Sequence, residues 1–170
     1  MRWGKKSRET TQDGRSRIDL PQLQRELGVR IGERGESTLL LACDEMDRTH
    51  HHELGAEHLI VGVLEEGGPA AQLLLQHGIT LEDARAQIAE ALWEGDEALG
   101  SVELTSEATN ILATAAEAAG MRGHRTLEPE HITYGFVCSG FEITSRVLHM
   151  IGVDRQKLLQ DSEQLLSNGH

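Results

Sequence analysis

Aromatic side chains make up only 3% of these 170 residues, so an interior built on stacked rings is excluded. Aliphatic side chains and alanine must fill the core instead. Close helix–helix contact suits that material, because alanine joins high helix propensity to a small packing volume. Cysteine is also scarce. Cys43 and Cys138 sit in apolar, helix-like segments and read as buried free thiols, without the neighbours at useful spacing that a metal site requires. No run of eighteen apolar residues occurs, and the start MRWGKKSRETT lacks the apolar stretch of a secretory signal. The expectation is a soluble, cytoplasmic protein.

A hydrophobic fraction of 38% supplies one ordinary globular core. The net charge of −12 is unevenly spread. Residues 1–30 carry eight Lys/Arg against four acids, net +4, which leaves −16 for residues 31–170. Such a body repels phosphate backbones, so nucleic acid is a poor partner for it. Only the basic leader offers a place for DNA, and a regulatory protein using that leader for DNA or protein contact is the alternative reading. Residues 1–31 are expected to be a partly disordered leader holding a short helix over 20–27, capped by Asp19 and ended by Gly28.

Helices are expected over 37–48, 56–66, 70–77 and from Thr80 to Trp93, with Thr80 and Asp83 forming a capping pair. The acidic, glycine-containing stretch 94–103 is a natural boundary. The same order then recurs over 106–121, 130–138, 142–151 and 155–166. His51 pairs with His124, Leu54 with Leu127, Glu57–His58 with Glu130–His131 and Gly62 with Gly135, all displaced by 73 residues. Gly78 and Gly152 pair at 74. Dispersed matches in one register mark a duplicated unit. A four-helix unit of this size has a limited core, so two of them gain by sharing one interior.

At the paired segments LGAEHLIVGVLEEG (54–67) and LEPEHITYGFVCSG (127–140), the sequence resembles the N-terminal domain of Clp/Hsp100 unfoldase ATPases, most closely the ClpC type. The endings HGIT (77–80) and IGVD (151–154) match the family's pattern as well. The resemblance implies an all-α fold, with two four-helix repeats (about 32–94 and 104–166) packed as one pseudo-twofold domain over residues 32–166. It also implies a substrate- and adaptor-docking role in the Clp protease system, with protein or peptide clients. Some ClpC-type domains recognise proteins phosphorylated on arginine, and certain cyclic peptide antibiotics bind the domain.

Carried over by position, the carboxylates that hold the guanidinium match Glu57 and Glu130. Departures surround them. Ile31–Gly32 stands where the family has Phe-Thr, while Leu104–Thr105 keeps the hydroxyl at Thr105. Gly28 stands where an aromatic residue is expected. Ala56 replaces the first turn's threonine, and Glu128–Pro129 replaces the glycine and threonine of the second. The extra carboxylate of Glu128 attracts a guanidinium but repels a phosphate. The ligand-binding candidates are therefore Glu57, Ala56 and Thr105, with Glu130 and Glu128 in the second repeat. A favourable helix-dipole interaction also explains Glu57 and Glu130, as exposed carboxylates, without any ligand.

No GxxxxGKS/T phosphate loop occurs, so the expectation is a free-standing docking domain, not an enzyme, without catalytic residues or cofactors. His50, His51, His52 and His58 read as a polar turn and not a metal site, because consecutive helical side chains diverge. His58 and His131 read as hydrogen-bonding residues within each repeat. Asp44, Glu45 and Asp47 read as a solvated helix face, with no nucleophile or metal signature beside them.

Overall fold

The computed structural model describes residues 17–91, 102–140 and 142–168. The first sixteen residues of the leader, the Trp93 end of the fourth expected helix and most of the acidic boundary lie outside them. Helix α1 (Leu20–Leu27) comes first. Asp19 caps it by accepting the Gln22 N–H at 2.9 Å, and Gly28 closes it in the left-handed region. Leu23 is buried in the core, with Leu20 and Leu27 packed against that cluster, so the body covers the helix's small apolar face.

The first repeat follows as β1 (Arg30–Ile31), α2 (Glu33–Arg48), β2 (Glu53–Leu54), α3 (Ala56–Glu66), α4 (Pro69–Gln76) and α5 (Leu81–Ala91). The second is β3 (Glu103–Leu104), α6 (Ser106–Met121), β4 (Thr126–Leu127), α7 (Pro129–Cys138), α8 (Glu142–Ile151) and α9 (Arg155–Asn168). Each element from β3 to α8 starts 73 residues after its counterpart, and α9 starts 74 after α5. The fold is all-α in class and duplicated, as its sequence pattern requires. Local chemistry sets most of the ends. Thr80 accepts the Asp83 N–H at 3.1 Å, and Pro69 and Pro129 occupy first-turn positions where a missing N–H costs nothing.

One apolar cluster crosses both repeats. Leu39, Leu59 and Leu74 from the first repeat share it with Ile111, Ile132 and Phe136 from the second. Burying side chains of this kind contributes roughly 1.5–3 kcal/mol each before the entropy of ordering them is subtracted. Helix α3 meets α7, and α4 meets α9. His77, at the C-cap of α4, also reaches Asp161 on α9 at 2.8 Å. Within each repeat the first two helices cross closely at a glycine. An ideal Cβ on Gly62 would stand 2.4 Å from the Thr38 carbonyl oxygen, and one on Gly135 would stand 2.3 Å from that of Ile111.

Two corrections concern side chains. Glu45 does not lie on a solvated face. It is only 2% exposed and takes hydrogen bonds from Arg48 and Arg85. Burial opposes its ionisation, yet those two guanidinium groups hold its carboxyl below the usual range. Cys138 is exposed at the end of α7, whereas Cys43 is buried as expected, and both are free thiols. No helix among the described residues is long and apolar enough to cross a membrane.

Candidate functional site

The short strands converge the helix starts of opposite repeats. β1 pairs with β4 in parallel, Arg30 with Thr126 and Ile31 with Leu127. β2 pairs with β3 likewise, Glu53 with Glu103 and Leu54 with Leu104. The register continues by one bond at each place: Gly32 N–H donates to the Leu127 carbonyl at 3.0 Å, and Thr105 N–H to the Leu54 carbonyl at 3.1 Å. The starts of α3 and α6 therefore stand side by side, and so do those of α7 and α2. Each place is a notch at which two helix N-termini bring their partial positive charge together.

Each notch is propped by a histidine pair. Gly55 N–H donates to His58 Nδ1 at 2.9 Å, so the proton of this imidazole sits on Nε2, 2.9 Å from His51 Nδ1. The second repeat copies this geometry, with Glu128 N–H on His131 Nδ1 at 3.0 Å and His131 Nε2 2.8 Å from His124 Nδ1. Burial, helped by neighbouring His51, pushes the His58 pKa down to about 3. Burial first, then His52, lowers that of His51. A depressed imidazole pKa makes the unfolded chain the better proton acceptor. The stability His58 contributes is thus complete above about pH 6.5 and is lost as pH falls toward about 3. Denaturant titrations between pH 7 and 4 should show stability falling by up to about 1.4 kcal/mol per pH unit from this one group. His58→Gln should flatten that slope.

Glu57 was expected to be an exposed carboxylate, but it is only 8% exposed. It curls over the start of α3, where an ideal Cβ on Gly55 would be 2.3 Å from Oε1 and 2.6 Å from Oε2. Oε2 is buried and accepts no hydrogen bond. Oε1 lies 3.5 Å from His58 Nδ1, but that nitrogen carries no proton, so the approach is not an ion pair. Burial raises the Glu57 pKa, and Glu107 and Glu53 add to the rise, against the bond from its own backbone N–H. Ala56 is buried beside it. Thr105 caps α6 by accepting the Ala108 N–H at 3.1 Å.

The second notch has the same backbone and different chemistry. Glu130 receives the Arg34 guanidinium at 2.8 Å, and Arg34 also binds Glu66 through Nε at 2.8 Å and a second nitrogen at 3.0 Å. Glu128 Oε2 accepts the Gly35 N–H at 3.0 Å, while its Oε1 accepts from Thr126 at 3.0 Å. Arg34, Glu128 and Glu130 line a cavity of about 250 Å³ together with His124, Leu165 and Leu166. The sequence reading missed Arg34 and Glu66 entirely, since they lie 96 and 64 residues from Glu130. Among the described residues, no group of three or more His, Cys, Asp or Glu side chains stands ready to hold a metal.

Comparison with known proteins places this geometry. The chain is 31% identical over 140 residues to the negative regulator of genetic competence ClpC/MecB of Bacillus subtilis, covering 82% of this chain and 17% of that protein. The chain thus spans about a sixth of that relative's length. The N-terminal domain of the caseinolytic protease associated chaperone ClpD from Arabidopsis thaliana superposes with a TM-score of 0.69 at 20% identity, over 82% of this chain and 96% of that one. A ClpV N-domain solved in complex with a VipB peptide gives 0.62 at 18% identity, over 89% and 93%. The Clp repeat N-terminal domain model matches twice, over residues 30–108 and 103–170. With both repeats matched, this chain belongs to the Clp repeat N-terminal domain family.

Proposed function

We propose that this chain docks proteins or peptides, and that the notch at Glu57 receives a client side chain bearing both a guanidinium and an anionic group, as phosphoarginine does. The carrying observation is the buried, unpartnered Glu57 Oε2 beside two helix N-termini. A buried carboxylate without a partner is destabilising, and a guanidinium fork is the group that relieves it best. The anionic half of such a ligand suits the amides of α3 and α6. The Thr105 hydroxyl, which accepts from Ala108, keeps its own hydrogen to donate. Ala56, buried beside Glu57, adds no polar side chain that could compete for its carboxylate. The other repeat offers an internal precedent, with the Arg34 guanidinium on Glu130 and the Glu128 carboxylate on an α2 amide. The ClpV N-domain solved with a VipB peptide gives the family a peptide-bound precedent.

Calorimetry with free phosphoarginine tests the reading. Wild type is expected to bind, and Glu57→Gln to weaken binding at least tenfold, which is about 1.4 kcal/mol. Free arginine, which lacks the phosphate, should bind more weakly than phosphoarginine. Equal uptake by wild type and E57Q would remove Glu57 from the site.

A further inference from the structure

We infer that Arg34 and Glu128 plug the notch at Glu130 from within, so that the two repeats differ in valence and the protein takes one such ligand per chain, not two. The inference takes the ligand's chemistry from the docking reading above, but the plug itself stands on geometry alone. Three corresponding positions differ between the repeats. Gly32 replaces the residue corresponding to Thr105, Arg34 the one corresponding to Glu107, and Glu128 the one corresponding to Gly55, each across the 73-residue displacement.

These changes interlock. Thr105 caps α6 from its own N-cap position by accepting the Ala108 N–H. Gly32 has no side chain to do this for α2, and the Gly35 N–H, which corresponds to that of Ala108, goes instead to Glu128 Oε2 at 3.0 Å. The cap is thus supplied from the opposite repeat. It fits only because residue 32 is glycine, since an ideal Cβ there would stand 1.6 Å from Glu128 Oε1. The negative charge that an anionic ligand would bring to this helix start is already present. On the other side of the notch, Arg34 holds Glu130 while Glu66 anchors the same guanidinium through two hydrogen bonds. An incoming guanidinium would have to displace an intramolecular one, and an incoming phosphate would meet a fixed carboxylate.

The test uses the full chain. Gly32→Thr/Glu128→Gly restores in α2 the arrangement of α6. Adding Arg34→Ala frees Glu130. Without ligand, G32T alone should unfold at lower denaturant and E128G should weaken α2, while G32T/E128G should recover most of both losses. Simple addition of the two losses would overturn the interlock. With phosphoarginine as the probe, wild type should bind one equivalent and shift the backbone amide signals of Gly55 and Thr105, leaving that of Gly35 in place. The folded triple variant should bind one equivalent more and move the signal of residue 35. Wild-type binding at the Glu130 notch, or a folded triple variant taking up nothing there, would overturn the plug. Loss of wild-type binding at Glu57 with uptake by the triple variant at Glu130 would uphold the plug and reject the reading of Glu57.

Discussion

Replacing Gly62 by alanine is expected to cost about 3 kcal/mol of stability, the upper end of what overpacking by one methyl group normally costs. The added carbon would stand 2.4 Å from a backbone oxygen of α2, not from the tip of a flexible side chain, so it can be accommodated only by separating two helices. That separation opens the seam where α2 and α3 bury Leu39, Ala42 and Leu59. Gly135→Ala should do the same at the carbonyl of Ile111, and the double variant should not hold a cooperative fold near room temperature. Gly120→Ala is the matched control. This glycine lies inside α6 with nothing within 4 Å of an added Cβ, so the change should raise stability by about 0.5–1 kcal/mol. Urea unfolding of the four variants reads the whole set. Loss at 62 without loss at 135 would contradict the equivalence of the two crossings.

Glu57→Gln is expected to change stability and capture in opposite directions. At neutral pH the wild-type fold carries a buried carboxylate with an unpartnered oxygen and a raised pKa. The sign follows from that rise. The unfolded chain holds the proton less tightly, so the stability of the protonated form is complete below the ordinary carboxyl pKa of 4.5 and is lost as pH climbs through the folded value. An uncharged glutamine avoids that loss, and a gain of about 1 kcal/mol is expected at pH 7. The same change removes the charge that a guanidinium needs, so capture of phosphoarginine should fall at least tenfold. Wild-type affinity should rise with pH across the Glu57 titration, since only the ionised form pairs with the cation. Arg34→Ala is the contrast. It strands Glu66 and Glu130, and because Arg34 is 39% exposed the cost is moderate, about 1–2 kcal/mol.

Such a trade of stability for binding is common where a group is held ready for a ligand. It also separates two explanations that the sequence left side by side. A carboxylate placed only to complement a helix dipole would be solvated or hydrogen-bonded, as Glu128 is at the start of α2. Glu57 is neither solvated nor fully bonded.

What was legible in the sequence depended on the range of the interaction. Asp19, Thr80 with Asp83, and the paired glycines 78 and 152 act within one turn, and the elements they bound occur where the pattern puts them. The duplication was legible because it repeats side chains in one register. The start of α2 was not. Helix was expected from Ser37, yet it begins at Glu33, because its cap comes from Glu128, 93 residues from Gly35. The four two-residue strands carry no periodicity of their own and form only when the repeats meet. Glu45 looked solvated because its partner Arg85 lies 40 residues away. The resemblance located Glu57 and Glu130 and flagged Glu128 as a disturbance. Only the fold brings Arg34 to Glu130 and leaves Glu57 without a cation among the described residues.

The most direct measurement is an NMR titration of the Glu57 side-chain carboxyl carbon, with and without saturating phosphoarginine. A midpoint above 4.5 in the free protein that moves down when the ligand is present is the predicted result. A midpoint at or below 4.5 that the ligand leaves in place would mean that this carboxylate already has its partner, and the docking account would be wrong.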